Sequence, residues 1–244
     1  MRYLHGAEES SLREALSKRE GTLREARIHF NEWRAARGKP PLPPRREPYA
    51  DHLQPIVLLA LNTGLRRSEL FHLRWEDIDF EAKWLTVRGV SAKNGQTRRV
   101  PLNAEALSTL ETWRKLAKDG EPRVFPGVGG GSLNRVDRAW RRLKKGADLQ
   151  NFRFHDLRHH FASRLVQSGV PLNTVRELLG HADTTMVLRY AHLSPDHLAA
   201  AVEKVARPPH AQTTLISGNR DKDNRDNHSL ALYPVQADSQ GRSD

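Results

Sequence analysis

One stretch of the sequence presents a titratable imidazole beside a fixed cation. His155 and Arg158 are three residues apart in His155-Asp-Leu-Arg-His-His-Phe, so a helix would carry both side chains on one face. A guanidinium and an imidazole presented together suit an anionic substrate. The same pattern also occurs on the solvated polar face of an ordinary helix, and this stretch alone does not decide between the two.

The same stretch also has the spacing of a metal-binding helix. His155 and His159 are four residues apart, as in helices that bind zinc through two histidines. Asp156 stands where the glutamate of that motif is expected, no nearby carboxylate completes a ligand set, and the chain has no cysteine. The sequence therefore argues against a metal site, and no cofactor is expected.

A second stretch ends in a tyrosine. In Leu-Leu-Gly180-His181-Ala-Asp-Thr-Thr-Met-Val-Leu-Arg-Tyr190, the glycine can end one helix, and the histidine then lies in a tight turn. Tyr190 follows about two helical turns later. Most tyrosines at such positions pack against a core, and most turn histidines are solvated, so neither residue identifies a site by itself.

Two further cations lie at predicted junctions. Arg66 follows a break at Gly64 and precedes a helix start, where a guanidinium and backbone amides can meet a phosphate. Glu69 could fix the local backbone or orient an arginine. Lys93 lies at the turn of a predicted hairpin, where a solvated lysine is the ordinary interpretation.

The charge distribution restricts the class of partner. The net charge is +11, with a pI of about 10.3. From residue 208 onward four basic and five acidic residues give −1, so the rest of the chain carries +12. Such an excess favours a polyanion, with nucleic acid ahead of an acidic membrane surface. The chain has no apolar run of about 18 residues, no leader-like N-terminus and no cysteine, so a cytoplasmic protein without a membrane span is expected.

Hydrophobic periodicity predicts a mainly α protein with a small antiparallel three-stranded β-sheet, an α+β fold. Residues 8–37 are predicted to be helical, with capping boxes at Ser11/Glu14 and Thr22/Glu25. The prolines of 39–44 exclude a helix interior and indicate a linker or extended crossing. A helix starting near Asp51 has an apolar stripe and ends near Gly64, and a short helix follows near 68–73. The remaining predicted elements are strands within 78–102, with Asn94-Gly95 as a hairpin turn, and helices near 103–118, 133–146, 155–168, 172–179, 184–191 and 195–206.

One predicted helix has a basic stripe opposite an apolar one. Trp140, Leu143 and Ala147 form the apolar side. The basic stripe, which suits DNA phosphates but would equally solubilise a helix face, consists of Arg138, Arg141, Arg142 and Lys145.

Taken together and in this order, the stretches resemble the tyrosine recombinase or phage integrase family. The resemblance rests on Thr-Gly-Leu-Arg66-x-x-Glu-Leu, the turn lysine, His155-x-x-Arg-His, Leu-Gly-His181 and the later Tyr190. The spacings also match, with 23 residues from Arg158 to His181 and 9 from His181 to Tyr190. The resemblance covers roughly residues 45–206 and implies the fold of that family's catalytic domain.

The resemblance implies a role for each of six residues. Tyr190 would attack a DNA phosphodiester and form a 3′-phosphotyrosyl link, while a 5′-hydroxyl leaves. Arg66 and Arg158 would clamp the non-bridging oxygens, and Lys93 would be the general acid for the leaving oxygen. His155 would accept a proton or orient the phosphate. His181 would donate a hydrogen bond to the phosphate.

The resemblance also sets expectations for organisation and partners. Residues 1–44 are expected to be a helical lead-in and Pro-rich linker, too short for the family's separate core-binding domain. Residues 45–207 would be the catalytic domain and 208–244 a disordered polar tail. The partner would be double-stranded DNA, bound by a homotetramer assembled through the helix near 195–206. Two alternatives stay open, a type IB topoisomerase-like enzyme and a catalytically decayed or regulatory DNA-binding protein.

Overall fold

The computed structural model describes residues 2–91, 95–127, 129, 131–194 and 202. Residues 1–199 form one compact unit. The described residues do not include Lys93 or Asn94 of the predicted hairpin turn. They also leave out nearly all of the predicted helix near 195–206 and the whole tail from 208. Within the described part of the chain, no helix has the length and apolar character needed to cross a membrane.

The described elements confirm the prediction of a mainly helical fold with one three-stranded antiparallel sheet. In chain order they are α1 (Gly6–Ala35), α2 (Leu53–Thr63), α3 (Arg67–His72), β1 (Ile78–Asp79), β2 (Trp84–Val87), β3 (Arg98–Pro101), α4 (Ala104–Lys115), α5 (Asp137–Gly146), α6 (Asp156–Gln167), α7 (Leu172–Leu179) and α8 (Thr185–Leu188).

The N-terminal region is one helix of 30 residues. It starts after His5, whose backbone N–H donates to Glu8 Oε2 at 3.0 Å. The predicted capping boxes at Ser11/Glu14 and Thr22/Glu25 are wrong, because all four residues lie inside α1. Caps act where the first four backbone N–H groups of a helix are free, and inside a helix those groups already bond to carbonyls.

The central helix is α2, which packs against both α4 and α6. The sequence predicted an apolar stripe on one side, formed by Leu53, Ile56, Val57 and Ala60. The structure buries nearly the whole helix, including Leu58 on the opposite side. A helix that is apolar all round must be enclosed by other elements. This enclosed helix ends at Gly64, as predicted, in the left-handed conformation (φ 62°).

The sheet has the order β1-β2-β3. Leu85 pairs with Val100 and Val87 pairs with Arg98, and residues directly opposite in an antiparallel pair share a face. Leu85 and Val87 are buried while Trp84 is exposed. The register therefore aims the Arg98 side chain at the covered face of the sheet.

The last three helices form a small second core. Its buried members lie on α6, α7 and α8 and in the segment that follows α8, namely Ala162, Val166, Val175, Leu179, Val187 and Tyr190. Tyr190 comes directly after α8 and starts a short 3-10 turn. The tyrosine is thus held by this second core and not by the larger one around α2.

Candidate active site

The junction between α2 and α3 positions Arg66. Gly64 turns the chain out of α2, and Arg66 lies immediately before α3. Glu69 Oε2 accepts the backbone N–H of Arg66 at 2.8 Å, and Glu69 Oε1 accepts Arg66 Nη1 at 2.9 Å. Glu69 therefore does both things expected of it from the sequence, fixing the backbone and orienting an arginine.

Glu69 also binds a second arginine, which the sequence did not identify as a site residue. Arg98 donates from Nη1 and Nη2 to the two carboxylate oxygens at 3.0 and 2.7 Å, and from Nε to the Leu178 carbonyl at 3.1 Å. Burial opposes the charge of Glu69, but the bonds from Arg98 and Arg66 outweigh it and lower the pKa of Glu69 to about 2. This carboxylate stays ionised although only 2% of the residue is exposed.

Arg158 is almost completely buried, with 3% of the residue exposed. Its Nη1 donates to the carbonyl of Gly64 at 2.7 Å and its Nη2 to the carbonyl of Leu179 at 2.5 Å. These bonds tie α6 to the end of α2 and the end of α7. Burial and then the nearby Arg66 lower the pKa of Arg158 to about 9, so the guanidinium remains charged at neutral pH.

Three guanidiniums therefore surround one carboxylate. Arg66, Arg98 and Arg158 carry three positive charges. Glu69 is the carboxylate that balances them, since it pairs with Arg66 and Arg98 and also acts electrostatically on Arg158. The cluster has an excess of two positive charges at neutral pH. Buried charges without counterions are costly, so the site favours a bound anion.

Two histidines experience the field of this cluster. Burial and then Arg158 and Arg66 lower the pKa of His181 to about 4, and partial burial and Arg158 lower the pKa of His155. His181 Nδ1 is buried and has no hydrogen-bond partner among the described residues. Since buried polar atoms are nearly always bonded, this nitrogen is available to a ligand.

Tyr190 lies at the same site and bonds to a neighbouring histidine. His159 Nδ1 and Tyr190 Oη are 2.7 Å apart. The pKa of His159 is lowered to about 4, by burial and then by His155, so the ring is neutral and Nδ1 can accept the phenolic proton. Burial raises the pKa of Tyr190, although Arg158 and Arg189 oppose this effect.

The metal interpretation of the two histidines gains no support. The rings of His155 and His159 meet edge to face, with centroids 5.2 Å apart. The described residues contain no group of three or more His, Cys, Asp or Glu that could hold a metal ion. His159 instead forms a hydrogen bond with Tyr190.

The site thus brings together five of the six residues singled out from the sequence, namely Arg66, His155, Arg158, His181 and Tyr190. The sixth, Lys93, is outside the described residues. Sequence reasoning missed the roles of Arg98 and His159. The alternating burial of β2 gives a signal for Arg98, because the residue paired with Val87 must face the core, but no local pattern predicts that His159 contacts Tyr190.

The basic stripe lies on α5 as expected. Trp140, Leu143 and Ala147 are buried. The four cations on the other side, Arg138, Arg141, Arg142 and Lys145, are all exposed.

Gly64 is required by both conformation and space. A Cβ there would lie 2.4 Å from Phe161 Cδ1, and φ is 62°. Gly64→Ala is expected to lower the free energy of unfolding by about 2–4 kcal/mol, from left-handed strain and overpacking together. Urea denaturation measures this change. Gly21→Ala is the control, because it lies inside α1 with nothing within 4 Å of the added Cβ, and it should stabilise by about 0.5–1 kcal/mol. Equal effects of the two substitutions would contradict the argument.

Comparison with known proteins finds similarity to one family. The sequence profile described as the phage integrase family matches residues 44–197. The integrase of Salmonella phage P22 is 35% identical over 164 residues, which are 63% of this chain and 42% of the relative. Tyrosine recombinase XerA of Pyrococcus horikoshii is 37% identical over 164 residues, which are 64% of this chain and 56% of the relative. The chain spans about half the length of these curated relatives.

A solved structure has the same fold. The Tn1549 transposon integrase in complex with circular intermediate DNA has a TM-score of 0.54 and 28% identity, over 66% of this chain and 62% of that chain. The profile match covers well over half of the present chain and includes the five described site residues. The chain therefore belongs to the phage integrase family of tyrosine recombinases.

Proposed function

We propose that this chain is the catalytic domain of a site-specific DNA recombinase or integrase, with Tyr190 as the nucleophile. The observation that carries the proposal is the excess of two positive charges around Glu69, next to a tyrosine hydroxyl. A phosphodiester brings one negative charge, which offsets half of this excess, and supplies the electrophile. Family membership supports the same reaction.

The reaction balances without an external energy source. Tyr190 Oη attacks phosphorus, and a bond forms between them while the bond from phosphorus to the 5′-oxygen breaks. The phenolic proton leaves to a base, and the 5′-oxygen takes a proton from an acid, a role we assign to Lys93. The phosphotyrosyl bond conserves the energy of the phosphodiester, so a 5′-hydroxyl can reverse the step.

The charged cluster supports this reaction electrostatically. A free phenol has a pKa near 10 and is a weak nucleophile at neutral pH. Arg66 and Arg158 present planar donor pairs that match phosphate oxygens, and in a site with little water they stabilise charge that develops on those oxygens. Arg158 also acts on Tyr190 directly, lowering the pKa that burial raises.

The bound phosphate is expected to raise the pKa of the histidines in the site and so favour their protonated form. In the free protein, burial and the arginines hold the pKa of His181 at about 4, so its ring is neutral. An anion bound between Arg66 and Arg158 offsets part of that positive field and raises the pKa of His181. The unpartnered Nδ1 then donates a hydrogen bond to the phosphate. His155, whose pKa is lowered by the same arginine, is assigned to orient the phosphate or accept a proton.

Further contacts with DNA are assigned to α5. We propose that Arg138, Arg141, Arg142 and Lys145 meet backbone phosphates, since all four are exposed on one side of a helix whose other side is buried. We also propose a homotetramer on two duplexes through the segment near 195–206, and action in the cytoplasm.

A covalent adduct tests the function. The protein is incubated with nicked duplexes carrying candidate attachment sites from the flanking DNA, so that the cleaved strand is lost and the adduct accumulates. We expect a protein–DNA band that survives denaturation, with the phosphate mapped to Tyr190 by mass spectrometry. Attachment to another residue contradicts the proposal. Relaxation of supercoiled plasmid with no site preference would instead favour a topoisomerase-like enzyme, and DNA binding without an adduct on its cognate site would favour a decayed one.

His159 is expected to contribute to the attack. Its Nδ1 lies 2.7 Å from Tyr190 Oη, where the tautomer protonated at Nε2 accepts the phenolic proton, so we assign His159 as a base or positioning partner distinct from His155. His159→Leu should slow adduct formation about 10²-fold, whereas His159→Asn keeps an acceptor near the Nδ1 position and should lose less. Quenched-flow measurement of adduct formation gives both rates. Equal losses in the two variants would show that the hydrogen bond is not used.

A further inference from the structure

The distal half of α1 and the proline-rich segment after it form an arm, defined as residues 21–48. The buried residues of α1 are Leu12, Leu16 and Glu20, all in its first half, and no residue from 21 to 35 is buried. The family profile starts at residue 44. Most of the arm therefore lies outside the region that the profile matches, and nothing in the proposed reaction uses it.

Side chains of α1 hold the proline-rich segment of the arm against the helix. Asn31 Nδ2 donates to the Leu42 carbonyl at 2.8 Å, and Asn31 Oδ1 accepts the Leu42 N–H at 2.9 Å. The neighbouring donors are spaced at helical intervals along the same side of α1, with Arg34 on the Pro40 carbonyl, Arg27 on the Pro43 carbonyl and Arg24 on the Pro48 carbonyl. Because these bonds leave the charges of the arginines intact, the arm is ordered and remains cationic.

A pair of stacked aromatic rings organises two more cations on the arm. Phe30 and Trp33 lie 5.6 Å apart at an interplanar angle of 9°, and each residue is 44% exposed. The Arg37 guanidinium lies 4.2 Å from the centroid of the Trp33 ring and Lys39 Nζ lies 5.5 Å from it. Cations held over an aromatic face lose less freedom when they bind an anion.

The charge of the arm is strongly one-sided. Residues 21–48 contain seven Lys/Arg and three Glu, a net charge of +4. In the described part of the chain, Arg37 and Lys39 form no ion pair, although Arg24 approaches Glu47 at 3.5 Å. The free cations on the Trp33 ring are therefore available to an external anion.

The aromatic pair continues a face of α1 that already borders a basic groove. Ala15, Arg19, Leu23, Phe30 and Trp33 recur at intervals that place them on one side of the helix. The first three line a cavity of about 980 Å³ between α1 and α5, whose opposite wall includes three cations of the basic stripe, Arg138, Arg141 and Arg142. The cations of the groove and the cations over Trp33 therefore lie along the same side of α1.

We propose that the arm binds the phosphate backbone of duplex DNA, extending the contact made by α5. This inference rests on the proposed function, because it takes DNA to be the molecule on which the domain acts. Arg37 and Lys39 lie over the exposed Trp33 ring, and two cations at this position favour a polyanion over an apolar protein surface. Contacts with DNA phosphates require ordered cations but do not depend on the base sequence, and the arm presents such cations.

Salt dependence of DNA binding tests the arm. The double variant Arg37→Gln/Lys39→Gln is compared with Lys83→Gln/Lys115→Gln, which removes the same charge from two exposed lysines, one between β1 and β2 and one at the end of α4. Binding to a fluorescent random-sequence duplex is followed by anisotropy at several salt concentrations. The arm variant is expected to reduce the slope of log K against log salt by about 2, since each phosphate contact contributes about 0.9, and the control should leave the slope unchanged. Trp33→Leu retains both charges and should weaken binding about 2–5-fold.

Each outcome bears on the arm separately from the chemistry. Equal slopes for the arm variant, the control and the unaltered chain overturn the arm proposal, even if Tyr190 forms its adduct. Absence of any duplex binding by the unaltered chain at low salt overturns both. A changed slope without an adduct on the cognate site supports the arm and contradicts the proposed reaction. Loss of self-association in the arm variant, with DNA binding intact, would identify the arm as a protein interface and overturn the proposal.

Discussion

Tyr190→Phe is expected to abolish the covalent protein–DNA adduct while leaving the domain folded and able to bind DNA. The substitution removes only Oη, which is the attacking atom in the proposed reaction. The ring stays in the second core, where the residue is 1% exposed. The fold loses the single hydrogen bond to His159, which contributes about 0.5–1.5 kcal/mol. The adduct is measured on denaturing gels, and folding by thermal denaturation.

Tyr3→Phe is the control, because it makes the same chemical change in a partly exposed tyrosine outside the site. It should leave adduct formation unchanged. If Tyr190→Phe retained the adduct, a different nucleophile would be at work. If it lost DNA binding in parallel with the adduct, the hydroxyl would have a structural role, and the loss of adduct would no longer identify the attacking atom.

The buried position of Tyr190 has a consequence for how it reacts. Its hydroxyl already bonds to His159 and its ring is enclosed, so we expect Oη to leave His159 when it attacks a phosphate. The short helix α8 has four residues, and the core that holds it is small. Such units open at a lower free energy than a main core. The nucleophile is thus attached to the part of the domain that can shift while α2 and α6 keep the arginines in place.

The sequence allowed the site to be predicted because its residues lie in short stretches with fixed spacing. Gly64 before Arg66 and Gly180 before His181 also gave correct helix ends. The contacts that complete the site were not predictable in this way. Glu69 meets Arg98 across 29 residues and His159 meets Tyr190 across 31 residues, and both contacts depend on how the sheet and the last helices pack.

The errors in the N-terminal region have a physical cause as well. Ser and Thr followed three residues later by Glu cap a helix only where the backbone amides are free, and the same letters fit the surface of an uninterrupted helix. Gly21 within α1 lowers the stability of the helix by about 0.5–1 kcal/mol relative to alanine, and a long helix tolerates this loss. The arm could not be predicted from the Pro-rich segment alone, because its order depends on donors such as Asn31 that face it from α1.

Glu69→Gln is expected to destabilise the domain by about 3–5 kcal/mol, because it leaves Arg98 charged and buried without its partner. The pKa of Glu69 gives a similar figure. It is about 2 in the fold against an ordinary value of 4.5, a difference worth about 3 kcal/mol. Since the folded-state pKa is the lower one, this stabilisation is present above pH 4.5 and is lost as the pH falls through about 2. Urea denaturation at neutral pH measures the loss, with Asp137→Asn as the control, since its pair with Arg67 is exposed and contributes about 0–1 kcal/mol.

A second variant separates the structural role of Glu69 from its role in the site. Glu69→Leu/Arg98→Met removes both members of the buried pair, and such replacements recover much of the stability lost when one member is removed. Adduct formation should stay reduced by about 10²-fold or more, because Glu69 also holds the backbone and guanidinium of Arg66, and one misplaced donor costs about that much. Recovery of stability and activity together would mean that Glu69 only balances Arg98. Recovery of stability alone would establish Glu69 as the residue that positions Arg66 for the phosphate.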